Sequence, residues 1–136
     1  MDLIVFATGF DTIDGSFNRI DFKGCGGKSL KDHWAQAPKT HLGATISDFP
    51  NLLFVNGPGA PFSNNPPASE ESAQFVADLI AKAETIRKSD TGTDVIESTK
   101  EAEEQWSQVL YKVSEMTLFS KTPSWFFGEN IPGKKL

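Results

Sequence analysis

Apolar residues follow two rhythms along this chain. Near the start, Leu3-Ile4-Val5-Phe6-Ala7 is an unbroken run that meets Thr8-Gly9, the pattern of a strand covered on both faces and closed by a glycine turn. Phe17 to Phe22 sets Phe17, Arg19 and Asp21 against Ile20 and Phe22, which predicts a half-exposed strand. Asn51-Leu52-Leu53-Phe54-Val55-Asn56 predicts another apolar strand, and it too ends in glycine, at Gly57-Pro58-Gly59. The second rhythm is helical. Ser29 can cap a short helix through Leu30 and Trp34 that stops before Pro38. Ser69 can cap a long one, with Glu70 and Glu71 in its first turn and Phe75, Val76, Leu79, Ile80, Ala83 and Ile86 in register to about Lys88. Ser98 with Glu101 matches a capping box, and Ala102, Trp106, Val109, Val113 and Met116 mark the buried face of a last helix reaching about Leu118.

Together these elements predict an α/β fold with a small partial sheet and two long helices. Residues 58–68 carry four of the eight prolines, so this stretch cannot join a ladder and reads as a stiff, shaped loop. Residues 120–136 predict no regular element, yet they hold Trp125-Phe126-Phe127. Loop aromatics need a surface, which could be the protein's own core, a second domain or a flat cofactor ring.

Composition narrows the function. A length of 136 residues suits one domain, and 38% hydrophobic with 23% charged residues lies far from the disordered regime. Thirteen Lys and Arg against 18 Asp and Glu leave no basic excess, so nucleic acid is not an expected partner. Cys25 is the only cysteine, which excludes an intrachain disulfide and a cysteine-based zinc site, and no metal site is expected. No apolar run reaches the ~20 residues a membrane span needs, and no leader pattern precedes Leu3, so a cytoplasmic protein without a membrane partner is expected.

Candidate chemistry concentrates at the glycine-ended loops. Two such strand ends, the second followed by a capped helix, resemble the carboxyl edge of α/β sheets, where a phosphate or a flavin oxygen can meet free N–H groups. The same residues also serve simply to turn the chain. Gly24-Cys25-Gly26-Gly27 lacks the third glycine of a dinucleotide fingerprint, since Ser29 stands there, and reads as a turn. Cys25 with His33 or His41 is a conceivable thiol and base, but nothing in the spacing fixes them together. Glu101, Glu103 and Glu104 read as a solvated helix face.

The motifs in combination resemble the carboxyl-terminal part of the type I Baeyer–Villiger monooxygenases, the cyclohexanone monooxygenase-like flavoproteins. The matching stretches are Phe6-Ala7-Thr8-Gly9-Phe10-Asp11, Gly26-Gly27-Lys28-Ser29-Leu30 with Trp34, Asp48-Phe49-Pro50-Asn51-Leu52 through Gly57-Pro58, Pro61-Phe62-Ser63-Asn64 with Pro66-Pro67, Glu104 with Trp106, and Ser124-Trp125-Phe126-Phe127-Gly128-Glu129-Asn130-Ile131-Pro132-Gly133-Lys134. The resemblance implies a partial FAD/NAD(P)-binding, Rossmann-like domain. Residues 1–120 would be the last segment of the FAD domain with its helical part, and 121–136 a control loop and a truncated tail. It implies FAD and NADP as cofactors of the parent enzyme, in which NADPH reduces the flavin and O2 is then used to convert a ketone into an ester or lactone.

On the same basis Thr8, Gly9, Gly57, Pro58 and Asn64 would lie beside cofactor, and Trp125 would fold over NADP. Phe62, Ser63 and Asn65 would line the ketone pocket, with Asn65 where leucine is common. The family's GxGxxG fingerprints, its FxGxxxHxxxW signature and its active-site arginine and aspartate have no counterpart in this chain, so no catalytic residue is assigned. The expectation is a fragment that is inactive alone and open to self-association through exposed interdomain surface. The alternative is a non-catalytic binding module that uses the proline-rich loop and the aromatic tail.

Overall fold

The computed structural model describes residues 3–7, 9–61, 63–89, 95–118, 121–122, 124, 129 and 131. Among these residues are three α-helices, α1 (Leu30–His33), α2 (Asn65–Lys88) and α3 (Lys100–Glu115), with 3-10 turns at Phe17–Arg19 and Cys25–Gly27. Among the described residues no helix is long and apolar enough to cross a membrane.

Each helix start has a local cause. The Ser29 hydroxyl accepts the Asp32 N–H at 3.1 Å, as the sequence predicts. At α3 the cap is Thr99, whose hydroxyl accepts the Ala102 N–H, while the neighbouring Ser98 is buried and turned to other use. α2 begins at Asn65 instead of near Ser69. Its prolines sit in the first turn, where a missing N–H costs nothing because that group has no helical partner.

The core is small and built largely from loops. Leu30, Trp34, Ile46, Phe49 and Phe54 are all at most 4% exposed, with Phe17, Phe22 and Leu52 packed around them. The Phe17 ring stands edge-on to Trp34 and to Phe54, at centroid distances of 5.8 and 5.2 Å.

The expected small sheet is not formed among the described residues, which hold only two isolated bridges, Lys23 with Ser29 and His41 with Thr45. Leu3 to Phe6 are each more than 70% exposed and pair with no described strand. Phe17–Arg19 winds up because the Asn18 amide and side chain both bond back to Asp14, which carries the Phe17 ring to the core. Asn51, at φ 63°, leaves the extended region and bonds to Ile96.

The long helices bury little, and the buried face of α3 differs from expectation. No residue of α2 is buried. On α3 the inward positions are Ala102, Glu103, Trp106 and Leu110, whereas Val109, Val113 and Met116 are 46%, 54% and 86% exposed. The stripe facing the core is rotated by one position, because the loop it packs against offers hydrogen-bonding groups to Glu103 and Trp106.

Candidate functional site

The loop after Phe54 is fastened from three sides. Gly57 N–H donates to Gly43 O at 2.9 Å, Thr40 Oγ1–H donates to Pro58 O at 2.5 Å, and Trp106 Nε1–H donates to Gly59 O at 2.9 Å. The backbone approach is too close for side chains. A Cβ on Gly43 would stand 2.5 Å from that of Ala60, and one on Gly57 would stand 2.6 Å from that of Phe54. The Pro58–Gly59 peptide is trans, so with its carbonyl turned to Thr40 its N–H points the opposite way. That Gly59 N–H has no partner among the described residues. A rigid loop without side chains at two positions, offering one free donor, can meet the edge of a flat ring.

α3 also carries a carboxylate expected on a solvated helix face. Glu103 is only 5% exposed. Its carboxylate accepts the Ser47 N–H, the Ser47 hydroxyl at 2.9 Å and the Ser98 hydroxyl at 3.3 Å, and these three donors replace water. Around it α3 and its leader clasp the 39–51 segment. Asp48 N–H donates to Glu97 at 2.6 Å, Asn51 exchanges two bonds with Ile96, and His41 Nδ1 stands 3.2 Å from Ala102 O.

Two ion pairs lie at the surface of the same clasp, Lys100–Asp48 at 3.1 Å and Lys39–Glu104 at 2.7 Å. The hydrogen-bonding Lys100 ammonium holds the Asp48 carboxyl below its usual range, and Lys39 does the same to Glu104. Burial, aided by Lys28, pushes the His33 imidazole down.

Beside the loop opens a groove of about 450 Å³ whose wall includes Leu42, Asn56, Ala60, Pro61, Ser63 and Phe75. Ser63, an expected ketone-pocket residue, is therefore on its wall. Asn64 and Asn65 are exposed at the start of α2, and the Asn64 side chain makes no capping bond. Gly57 and Pro58 are buried in the fastened loop. Gly9, at φ 93°, makes no hydrogen bond to that loop among the described residues. Thr8, Phe62 and Trp125 lie outside the described residues, as does most of 121–136.

Cys25 is exposed, and no hydrogen bond among the described residues joins it to His33 or His41. Among the described residues no three His, Cys, Asp or Glu side chains cluster to hold a metal. Thr40, Leu42 and Glu103 help build this site without belonging to any recognisable motif. A usable signal existed for Glu103, which falls between Ala102 and Trp106 on the stripe that had to be buried.

No protein-family model matches the chain. It is 44% identical over 135 residues to cyclohexanone 1,2-monooxygenase of an Acinetobacter species, covering 99% of this chain and 24% of that protein. It is 45% identical over 134 residues to a phenazine N-monooxygenase of Lysobacter antibioticus, covering 98% of this chain and again 24% of the relative. The structure superposes on cyclohexanone monooxygenase from Rhodococcus sp. Phi1 bound to NADP+, with a TM-score of 0.90 and 43% identity over 99% of this chain and 24% of that one. Another similar structure holds FAD and NADP together. The chain thus spans about a quarter of the length of the curated relatives it matches.

Proposed function

Because this chain is homologous to one segment of the cyclohexanone monooxygenase-like Baeyer–Villiger monooxygenases, we propose that it supplies the flavin-edge loop and one wall of the ketone pocket in an FAD- and NADPH-dependent ketone monooxygenase. The observation that carries this is the fastened Gly57–Ala60 loop beside the groove. The flavin, when bound, supplies the oxygen-activating redox chemistry, with O2 as co-substrate.

The chain's own part is to hold and orient. Thr40 and Trp106 fix the carbonyls of Pro58 and Gly59, so the Gly59 N–H stays available to a ring oxygen without reorganisation. Ser63 and the apolar wall around it seat the ketone and exclude water from one side. The residues described fit the edge of a flat ring, and the cradle for a dinucleotide's phosphates would come from other polypeptide. Trp125 and the rest of 121–136 act in this reading as the cover over NADP. Alone, the chain is inactive, and its exposed apolar start makes it prone to self-association.

The test is complementation. The chain is co-expressed with the Acinetobacter enzyme from which the homologous segment has been deleted. Flavin absorbance that co-purifies with both polypeptides, together with lactone formed from cyclohexanone and NADPH, is the expected result. Stable association of the two without bound flavin would overturn the proposal.

A further inference from the structure

We propose that Leu42 determines substrate specificity in this groove and selects compact, neutral, apolar ketones. This rests on the function proposed above. Among the described residues four non-glycine positions have positive φ, namely Leu42 (58°), Asp48 (64°), Asn51 (63°) and Asn56 (55°). Asp and Asn tolerate the left-handed region through their short polar side chains, whereas a bulky leucine there is strained. Leu42 and Gly43 (φ 69°) form the middle of a turn in which Ala44 N–H donates to His41 O, and a pair of positive φ values at those positions calls for Asn or Gly at the first.

The turn has no freedom to relax. His41 and Thr45 exchange both backbone bonds across it, and Gly43 is pressed against Ala60. Nor does core burial offset the strain, since Leu42 is half-exposed and does not belong to the Leu30–Phe54 cluster. What the leucine does is form wall: with Ala60, Pro61 and Phe75 it makes the groove's apolar side. Strain retained at a cleft is a mark of function. The ligand class follows from the lining. Ser63 and Ser72 can each serve one polar atom, Glu71 repels anions, and the volume of about 450 Å³ is that of a small-molecule site.

The test uses the whole chain, with cyclohexanone as probe, followed by NMR shifts of groove amides, and with thermal unfolding in parallel. Leu42→Gly and Leu42→Asn both suit the backbone, so each is expected to unfold about 2–4 °C higher than the parent while binding cyclohexanone about ten-fold more weakly. A residue that merely supports the fold would give the opposite thermal shift. A lower Tm in both variants overturns the proposal, as does unchanged affinity, and in either case the monooxygenase reading stands. Should cyclohexanone shift no groove amide in the parent chain, the same variants are compared by their KM for cyclohexanone in the complemented enzyme, where a KM unchanged in both overturns the role of Leu42 and leaves the monooxygenase reading standing.

Discussion

The two long helices, α2 and α3, differ in how the molecule holds them. α2 has 24 residues, a regular apolar period and no buried side chain; its described tie to the core is the Ser72 hydroxyl, which accepts the Asn56 N–H at 2.9 Å. α3 has 16 residues and buries a carboxylate, an indole N–H bond and the flank of the 39–51 segment. Length and periodicity make a helix, but here anchorage comes from a few polar groups that have nowhere else to go. α3 is therefore structural for the loop, and α2 is a surface on which something else can rest.

Removing the groups on α3 should break that contrast in order of their burial. Glu103→Ala strands the Ser47 N–H and two hydroxyls, and a loss of about 3–4 kcal/mol in urea unfolding is expected. Glu103→Gln keeps one acceptor and should cost about half of that. Trp106→Phe keeps the ring but leaves the Gly59 carbonyl without its donor, for about 1–2 kcal/mol, and faster hydrogen exchange at the Gly57 and Ala60 amides should report a loosened loop.

Ser72→Ala on α2 should cost less than about 1 kcal/mol, with amide exchange rising at Asn56 alone. A loss as large as that of Glu103→Ala would remove the distinction between the helices.

The smallest effect concerns His33, whose ring stands edge-on to Phe49 and whose Nδ1 is buried without a partner. Burial and the positive charges of Lys28 and Lys100 lower its proton affinity in the folded state, against a partial opposing pull from Glu103 and Asp48. The unfolded chain then binds the proton more readily. Stability should be flat above the ordinary imidazole value of about 6.5 and fall as pH drops through it. Unfolding midpoints at pH 7.5 and 5.5 check this, with His33→Gln expected to flatten the profile.

Much of the helical content was legible, since a Ser cap before Leu30 and a 3.6 period over α2 and α3 are local signals. The strands were not. Apolar runs at 3–7 and 51–56 carry the same signature whether they pair in a sheet or pack as extended loop, and only partners decide between the two. The expected cap at Ser69 lies inside α2 because residues 58–68 read as a proline-stiffened loop, although Pro66 and Pro67 are acceptable in a first turn. At the site, the resemblance points to Gly57, Pro58 and Ser63, and the structure puts the first two in the fastened loop and the third on the groove wall, while their roles toward cofactor and ketone belong to the proposal. Thr40 and Leu42 were not, because their importance lies in where a carbonyl points and in a backbone angle. Neither quantity has a compositional trace.

The bonds that fasten α3 to the core join residues far apart in sequence, with Ser47 meeting Glu103 across 56 positions and Asn51 meeting Ile96 across 45. The stretch containing α2 is thus an excursion whose two ends are tied together independently of it. Closing such a loop depends only logarithmically on its length, about 0.6 kcal/mol for each doubling. Evolution, or an engineer, is accordingly free to shorten or extend the part of that arm beyond Phe75, while the groove wall and the pinned loop behind it keep their shape.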